Sequence, residues 1–202
     1  MPNAQRVRRD FVVIGASAGG VQALHSLLCA VPADPPFTLA AVLHRSPYFV
    51  TDLPGVLGIH TAHRVSEPVN GQLIERGHVY LAPSDHHLRV RTRRFLLDRA
   101  PKEHHTRPAI DPLFFSAARE YGSRVIGVLL TGGGEDGTAG LTAIRHAGGI
   151  AVIQDPEEAT HPWMPLSALR KDHVDLVLPL AEIAPTLLTL AAGEVLPQAT
   201  AW

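Results

Sequence analysis

Twice in this chain a short run of apolar, mostly β-branched residues stops at a cluster of glycines. FVVIG (11–15) runs into ASAGG (16–20), and RVIGVLL (124–130) runs into TGGGEDGTAG (131–140). An apolar run of this length without alternation is a strand covered on both faces, as in a parallel sheet flanked by helices. Helical spacing follows each cluster: VQALHSLLCAV (21–31), with Val21, Leu24, Leu27 and Leu28 on one stripe, and LTAIRHA (141–147). Strand, tight turn and helix in succession make a βαβ unit, so the expected fold is α/β, a doubly wound and mostly parallel sheet flanked by helices.

Further strands are expected at TLAAVLH (38–44), GGIAVIQ (148–154) and DLVLP (175–179). VTDLPGVLGI (50–59) reads as a helix weakened by Pro54 and Gly55. A helix over 112–121 is expected to start with Asp111 as N-cap and Pro112 in the first helical position. LAEIAPTLLTLAA (180–192) closes the chain as a helix that Pro185 kinks or delays. The pattern changes in the middle, where VYLA (79–82), HLRVR (87–91) and RFLLD (94–98) suggest a small antiparallel hairpin insertion around 79–98. With no internal repeat or low-complexity linker, one domain is expected over 10–192, with flexible tails at 1–9 and 193–202.

Composition narrows the class. The 202 residues are 46% hydrophobic and 18% charged, which excludes a disordered chain. The net charge of −1 gives no global field for nucleic acid or an anionic membrane. No apolar run approaches the ~20 residues of a membrane helix, and the basic N-terminus lacks the apolar core of a signal peptide. Cys29 is the only cysteine, so an internal disulfide and a C-x-x-C metal site are both excluded. A cytoplasmic protein is the expectation.

Three features stand at the carboxyl ends of expected parallel strands, the edge where open α/β sheets bind ligands. Gly15-Ala16-Ser17-Ala18-Gly19 fits G-x-S-x-G, a sharp turn that presents a serine hydroxyl. His44 closes the second strand, and Asp136 lies in the second glycine cluster. A weakly acidic hydroxyl, an imidazole to take its proton and a carboxylate to orient the ring are what nucleophilic catalysis requires. Glycine turns beside Ser17 and at 132–134 offer backbone N–H groups to an oxyanion, at about 3–4 kcal/mol per donor. Such a set suits ester or amide hydrolysis.

Each residue also has a structural alternative. Ser17 could cap the helix after it, although Gly20 stands where a capping box wants Glu or Gln. His44 is one of 12 histidines and could be a strand-end residue. Asp136 could cap the helix at 138–147, and Glu135 is a rival carboxylate. A dinucleotide site is disfavoured, because Ser17 replaces the second glycine of G-x-G-x-x-G and His44 stands where an acidic residue is expected. The pairs His60 and His63, His86 and His87, and His104 and His105 lack metal-ligand spacing and read as exposed loop histidines, so neither a metal nor an organic cofactor is expected. Arg89, Arg91, Arg93, Arg94 and Arg99 alternate on the hairpin as a solvated face, or as a docking strip for an acidic surface.

Taken together, these segments resemble the catalytic domain of chemotaxis protein-glutamate methylesterases, the CheB-type family. VVIGASAGG (12–20), VYLAPSDHHL (79–88), RPAIDPLFFSAA (107–118), GVLLTGGGEDGTAGL (127–141), AGGIAVIQDPEEA (147–159) and Met164-Pro165 carry the resemblance in collinear order. It implies Ser17 as nucleophile, His44 as general base and Asp136 as orienting carboxylate, with Ala18, Gly19, Gly133 and Met164 around the oxyanion and substrate. It also implies hydrolysis of methyl esters on glutamate side chains of methylated chemoreceptor cytoplasmic helices, and deamidation of receptor glutamines, without a cofactor.

The chain departs from the family pattern in three places. Ala18 stands for threonine, Gly132-Gly133-Gly134 for glycine-methionine-glycine, and Arg45-Ser46 followed by Pro47 for Met-Pro after the histidine. An interaction module of low or no activity in a signalling complex is the alternative reading. Because the resemblance uses almost the whole chain, the family's phosphorylatable receiver domain is not expected, nor is regulation by phosphorylation in cis.

Overall fold

A computed structural model describes residues 7–46, 48, 51–171 and 174–193. The outer parts of both expected tails, together with Pro47 and Val50, lie outside the described residues.

The buried runs become strands as expected: β1 (Phe11–Ala16), β2 (Thr38–Leu43), β7 (Val125–Leu129), β8 (Ile150–Gln154) and β9 (Leu176–Leu178). With β3 (Val65–Ser66) and β4 (Val79–Leu81) they form a seven-stranded sheet in the order β3-β4-β2-β1-β7-β8-β9, every pair parallel. β4 therefore belongs to the main sheet. The antiparallel insertion is β5 (His87–Arg91) paired with β6 (Arg94–Asp98), and an isolated antiparallel bridge joins Arg94 of β6 to Leu73.

Successive strand residues point to opposite faces, and the core divides accordingly. Val12, Ile14, Leu39 and Val128 pack under α1 (Gly20–Ala30) and α6 (Leu180–Ala191). Phe11, Val13, Val42 and Leu129 pack under α3 (Ile110–Tyr121), α4 (Thr138–His146), α5 (Trp163–Arg170) and the hairpin. Both faces are covered, which explains why β1, β2 and β7 contain no exposed residue.

Several local expectations need correction. In α1, Val21 is 36% exposed, and the buried stripe is Gly20, Ala23, Leu24, Leu27 and Leu28. α2 is only Leu53–Gly58, started by Asp52 accepting from Gly55 N at 2.9 Å. α6 runs unbroken through Pro185 from Leu180, so the proline does not delay it. α5 was not anticipated. Asp111 is not the N-cap of α3: the helix starts at Ile110, Ala109 is the capping position, and Asp111 is buried in the first turn.

β1 lies between β2 and β7, so the chain winds outward on one side of β1 and then returns to its other side. A crevice beyond the carboxyl ends of the strands is expected at such a reversal. Ser17 follows β1 there and Thr131 lies just beyond β7.

Candidate active site

The β1–β2 register pairs Gly15 with Val42 and Ala16 with Leu43, so the next residues, Ser17 and His44, leave the sheet side by side. His44 N still donates to Ala16 O at 3.1 Å. Ser17 sits in a turn held from two directions, with Ser17 N donating to Thr131 O at 3.0 Å and Gly20 N donating to Ser17 O at 2.8 Å. The N-cap of α1 is Gly19, at φ 76°, with no side-chain capping bond, which removes the capping role considered for Ser17. The backbone N–H groups of Ala18 and Gly19 have no acceptor among the described residues, and Ala18 is exposed.

The loop after β7 is tied to this turn. Thr131 Oγ1 donates to Ala18 O at 3.1 Å and accepts from His161 N at 2.8 Å, while Thr131 N donates to Gln154 Oε1 at 2.9 Å. Close approach depends on Gly132, because a Cβ there would lie 2.6 Å from Met164 Cε and 2.8 Å from Ser17 Cβ. Gly133 is the opposite case: it is exposed, and a Cβ would meet nothing within 4 Å. Met164 has no exposed surface; it packs behind Gly132 and its N–H donates to Gly132 O at 3.0 Å. It supports the loop instead of lining an open surface.

Asp136, 1% exposed, faces inward. Its Oδ2 accepts from His44 Nε2 at 2.7 Å and from Ile110 N at 2.8 Å, and its Oδ1 accepts from Asp111 N at 3.0 Å. Asp136 thus caps α3 across a gap of 26 residues, not the helix that follows it, whose N-cap is Gly137. Glu135 is exposed, and among the described residues only its backbone oxygen is engaged, by Thr138 N, so it does not compete for His44. Burial works to raise the Asp136 carboxyl, but the His44 hydrogen bond and the α3 N–H groups outweigh it and hold the carboxyl below the usual range. The bond to Asp136 puts the ring proton on His44 Nε2 and leaves Nδ1 as the acceptor nitrogen. No hydrogen bond joins Ser17 Oγ to His44 among the described residues.

A second pair backs the first. His104 Nε2 lies 3.1 Å from Asp111 Oδ2 and 4.0 Å from Asp136 Oδ1, and Asp111 Oδ1 accepts from Gly140 N at 2.7 Å. Burial and the adjacent Asp136 charge push the Asp111 carboxyl up. Thr106 Oγ1 stands 3.5 Å from His44 Nε2. His104, Asp111 and Asp136 offer ligand atoms within 4.8 Å of one another, but protein donors already engage both carboxylates.

The other histidines and arginines are sorted by the fold. His63 and His87 are buried and bonded to Val31 O and Pro101 O, so they are structural and not exposed loop residues. Arg45 bonds to Glu67 and to Ala82 O. On the hairpin strip, Arg89 pairs with Asp98 and Glu103, Arg99 with Asp85, and Arg94 with Gly71 O.

The geometry therefore brings Ser17, His44, Asp136, Ala18 and Gly19 to one edge and sets Gly133 open beside them. Sequence reading missed Asp111, His104 and Thr106. Asp111 was visible as Asp-Pro, but that pair signals a cap and not a buried carboxylate.

The sequence model of the CheB methylesterase family matches residues 12–187. A protein-glutamate methylesterase/protein-glutamine glutaminase 2 of Anaeromyxobacter dehalogenans is 41% identical over 184 residues, covering 91% of this chain and 54% of that protein. A protein-glutamate methylesterase/protein-glutamine glutaminase of Pyrococcus horikoshii is 36% identical over 183 residues, covering 89% and 50%. The chain thus spans about half the length of the curated relatives it matches. The crystal structure of the Thermotoga maritima CheB methylesterase catalytic domain superposes with a TM-score of 0.86 at 34% identity, covering 91% of this chain and 100% of that one.

Proposed function

We propose, from the premise that this chain belongs to the CheB methylesterase family, that it hydrolyses methyl esters of glutamate side chains on chemoreceptor cytoplasmic helices. The observation that carries the reading is the Asp136 carboxylate, fixed by two α3 N–H groups and bonded to His44 at the edge where Ser17 emerges.

The chemistry follows from which atoms are free. Among the described residues Ser17 Oγ has no hydrogen-bond partner, and in this reading its partner is His44 Nδ1, the ring nitrogen left as acceptor. Such bonds tighten when substrate arrives. Oγ attacks the ester carbonyl while Nδ1 takes its proton. Asp136 stabilises the imidazolium, and the N–H groups of Ala18 and Gly19 receive the oxyanion. Collapse of the tetrahedral intermediate passes the proton from Nδ1 to the departing methoxide, releasing methanol and leaving a glutamyl ester on Ser17. Water, deprotonated by His44, then frees the glutamate and restores the serine.

The same path with ammonia leaving in place of methanol deamidates glutamine, as the names of the relatives state for those proteins. Among the described residues no helix is long and apolar enough to cross a membrane. We place the work of the chain in the cytoplasm, on the receptor's cytoplasmic helices.

The test is methanol release from methylated receptor fragments. Wild type releases methanol, and Ser17→Ala lowers the rate by about 10⁴-fold or more with an unchanged urea midpoint. Absence of release by folded wild type, with receptor binding retained, would favour the interaction-module reading.

A further inference from the structure

A cavity of about 400 Å³ opens at the amino edge of the sheet, beneath the starts of β1 and β2. Among the described residues four arginines line it, Arg8, Arg76, Arg93 and Arg124, against a single carboxylate, Asp10. Asp10 is already taken, since Arg124 Nε and Nη2 hold its two oxygens at 2.9 and 2.5 Å. Among the described residues Arg8, Arg76 and Arg93 form no ion pair, and their guanidinium groups donate no hydrogen bond; the neighbouring Glu75 and Glu120 are not paired with them.

These arginines come from four separate segments, so no local sequence rule gathers them. Arg8 leads into β1, Arg76 precedes β4, Arg93 is in the β5–β6 turn and Arg124 precedes β7. The turn is itself strained. Thr92 and Arg93 both adopt positive φ, at 50° and 56°, a conformation that favours Asn-Gly and that β-branched threonine rarely takes. It is pinned to the segment before β4, with Ile74 N donating to Arg93 O at 2.9 Å and Arg94 Nη1 to Gly71 O at 2.8 Å. The strained turn thus holds Arg93 beside Arg76. Backbone strain that persists against its cost marks a candidate functional position.

The charge surplus selects the ligand. Three formal positive charges remain after Asp10 is counted, more than one carboxylate neutralises. Planar guanidinium forks match phosphate oxygens in pairs. The cavity lies at the small end of the range for small-molecule sites. One wall is aromatic: Tyr121 stacks on Phe11 at 4.2 Å and Arg124 lies 5.4 Å from the Tyr121 ring centre. We propose that this arginine-lined cavity binds the phosphate groups of a small soluble phosphorylated ligand carrying at least two negative charges. It is a site separate from Ser17, a strand length of about 20 Å away at ~3.3 Å per residue.

Inorganic pyrophosphate titrated calorimetrically into the chain at low salt tests this. Saturable one-to-one binding with a Kd below about 1 mM is expected, weakening as salt screens the charges. Arg76→Ala/Arg93→Ala should weaken it at least about tenfold, whereas Arg119→Ala/Arg170→Ala, which removes equal charge outside the cavity, should leave it intact. Absence of saturable binding, or equal loss in both double variants, overturns the site. Sedimentation with phosphatidylglycerol vesicles without pyrophosphate binding would assign the arginines to a lipid surface and overturn the soluble ligand.

Discussion

At the carboxyl edge of the sheet the carboxylate that meets His44 is covered and paired: Asp136 is 1% exposed and commits its oxygens to His44, Ile110 N and Asp111 N. At the amino edge of the same strands four exposed arginines face one carboxylate that is already occupied. Burial explains the contrast. A charge removed from water must be satisfied by the protein, and once satisfied it is fixed in place before any substrate arrives. Exposed guanidinium groups pay no such penalty and can remain unpaired. The carboxyl edge therefore holds its buried carboxylate in one fixed geometry, and the amino edge leaves its guanidinium groups open to an added charge.

The sharpest way to break this contrast is to disturb the buried carboxylate. Asp136→Asn keeps the shape but no longer fixes the His44 tautomer, and we expect ester hydrolysis to fall by about 10⁴-fold. The amide cannot accept from Ile110 N, Asp111 N and His44 together, so the unfolding free energy from urea titration should also drop, by about 1–3 kcal/mol. Full activity in this variant would remove Asp136 from the working set.

Neighbouring glycines give a smaller, paired effect. Gly132→Ala forces a Cβ against Met164 and Ser17, at 2.6 and 2.8 Å. We expect activity to fall by about 10²-fold and stability by about 1–3 kcal/mol. Gly133→Ala, with nothing within 4 Å, should change stability by less than about 0.5 kcal/mol. Equal effects in denaturation and turnover assays would mean that the loop does not need close approach at Gly132.

The smallest effect concerns pH. The Asp136 carboxyl is held low, so its stabilisation is present above the ordinary aspartate range of about 3.9 and is lost only as pH falls through its lowered value. Asp111 is raised, chiefly by burial, so the native state binds the extra proton and loses stability as pH rises from about 4 through its raised value. Asp111→Asn lacks that loss. Its urea midpoint should therefore improve relative to wild type as pH rises through this window, and a constant difference would contradict the assignment.

What was legible in the sequence follows the range of the forces involved. The apolar runs of β1, β2 and β7 are local and show the covered parallel sheet directly. Ser17 and His44 could be placed because each ends such a run. The start of α3 was misread because Asp111-Pro112 carries a capping signature, whereas the actual cap arrives from Asp136 in the folded chain. α5 is eight residues long with prolines at 162 and 165, so its helical period is obscured. β3 is two residues long and exists only by pairing with β4. The arginines of the amino-edge cavity come from four segments, and no spacing rule could join them.

If Ser17, His44 and Asp136 act as one unit, removing either partner must silence the serine, and covalent trapping reads this out. Intact chain, His44→Ala and Asp136→Asn are each treated with a fluorophosphonate, and the modified residue and its labelling rate are read by mass spectrometry. One label per chain is expected, on Ser17, with the rate collapsing in both variants. Labelling at another serine, or at Ser17 with an undiminished rate when His44 is removed, would contradict it.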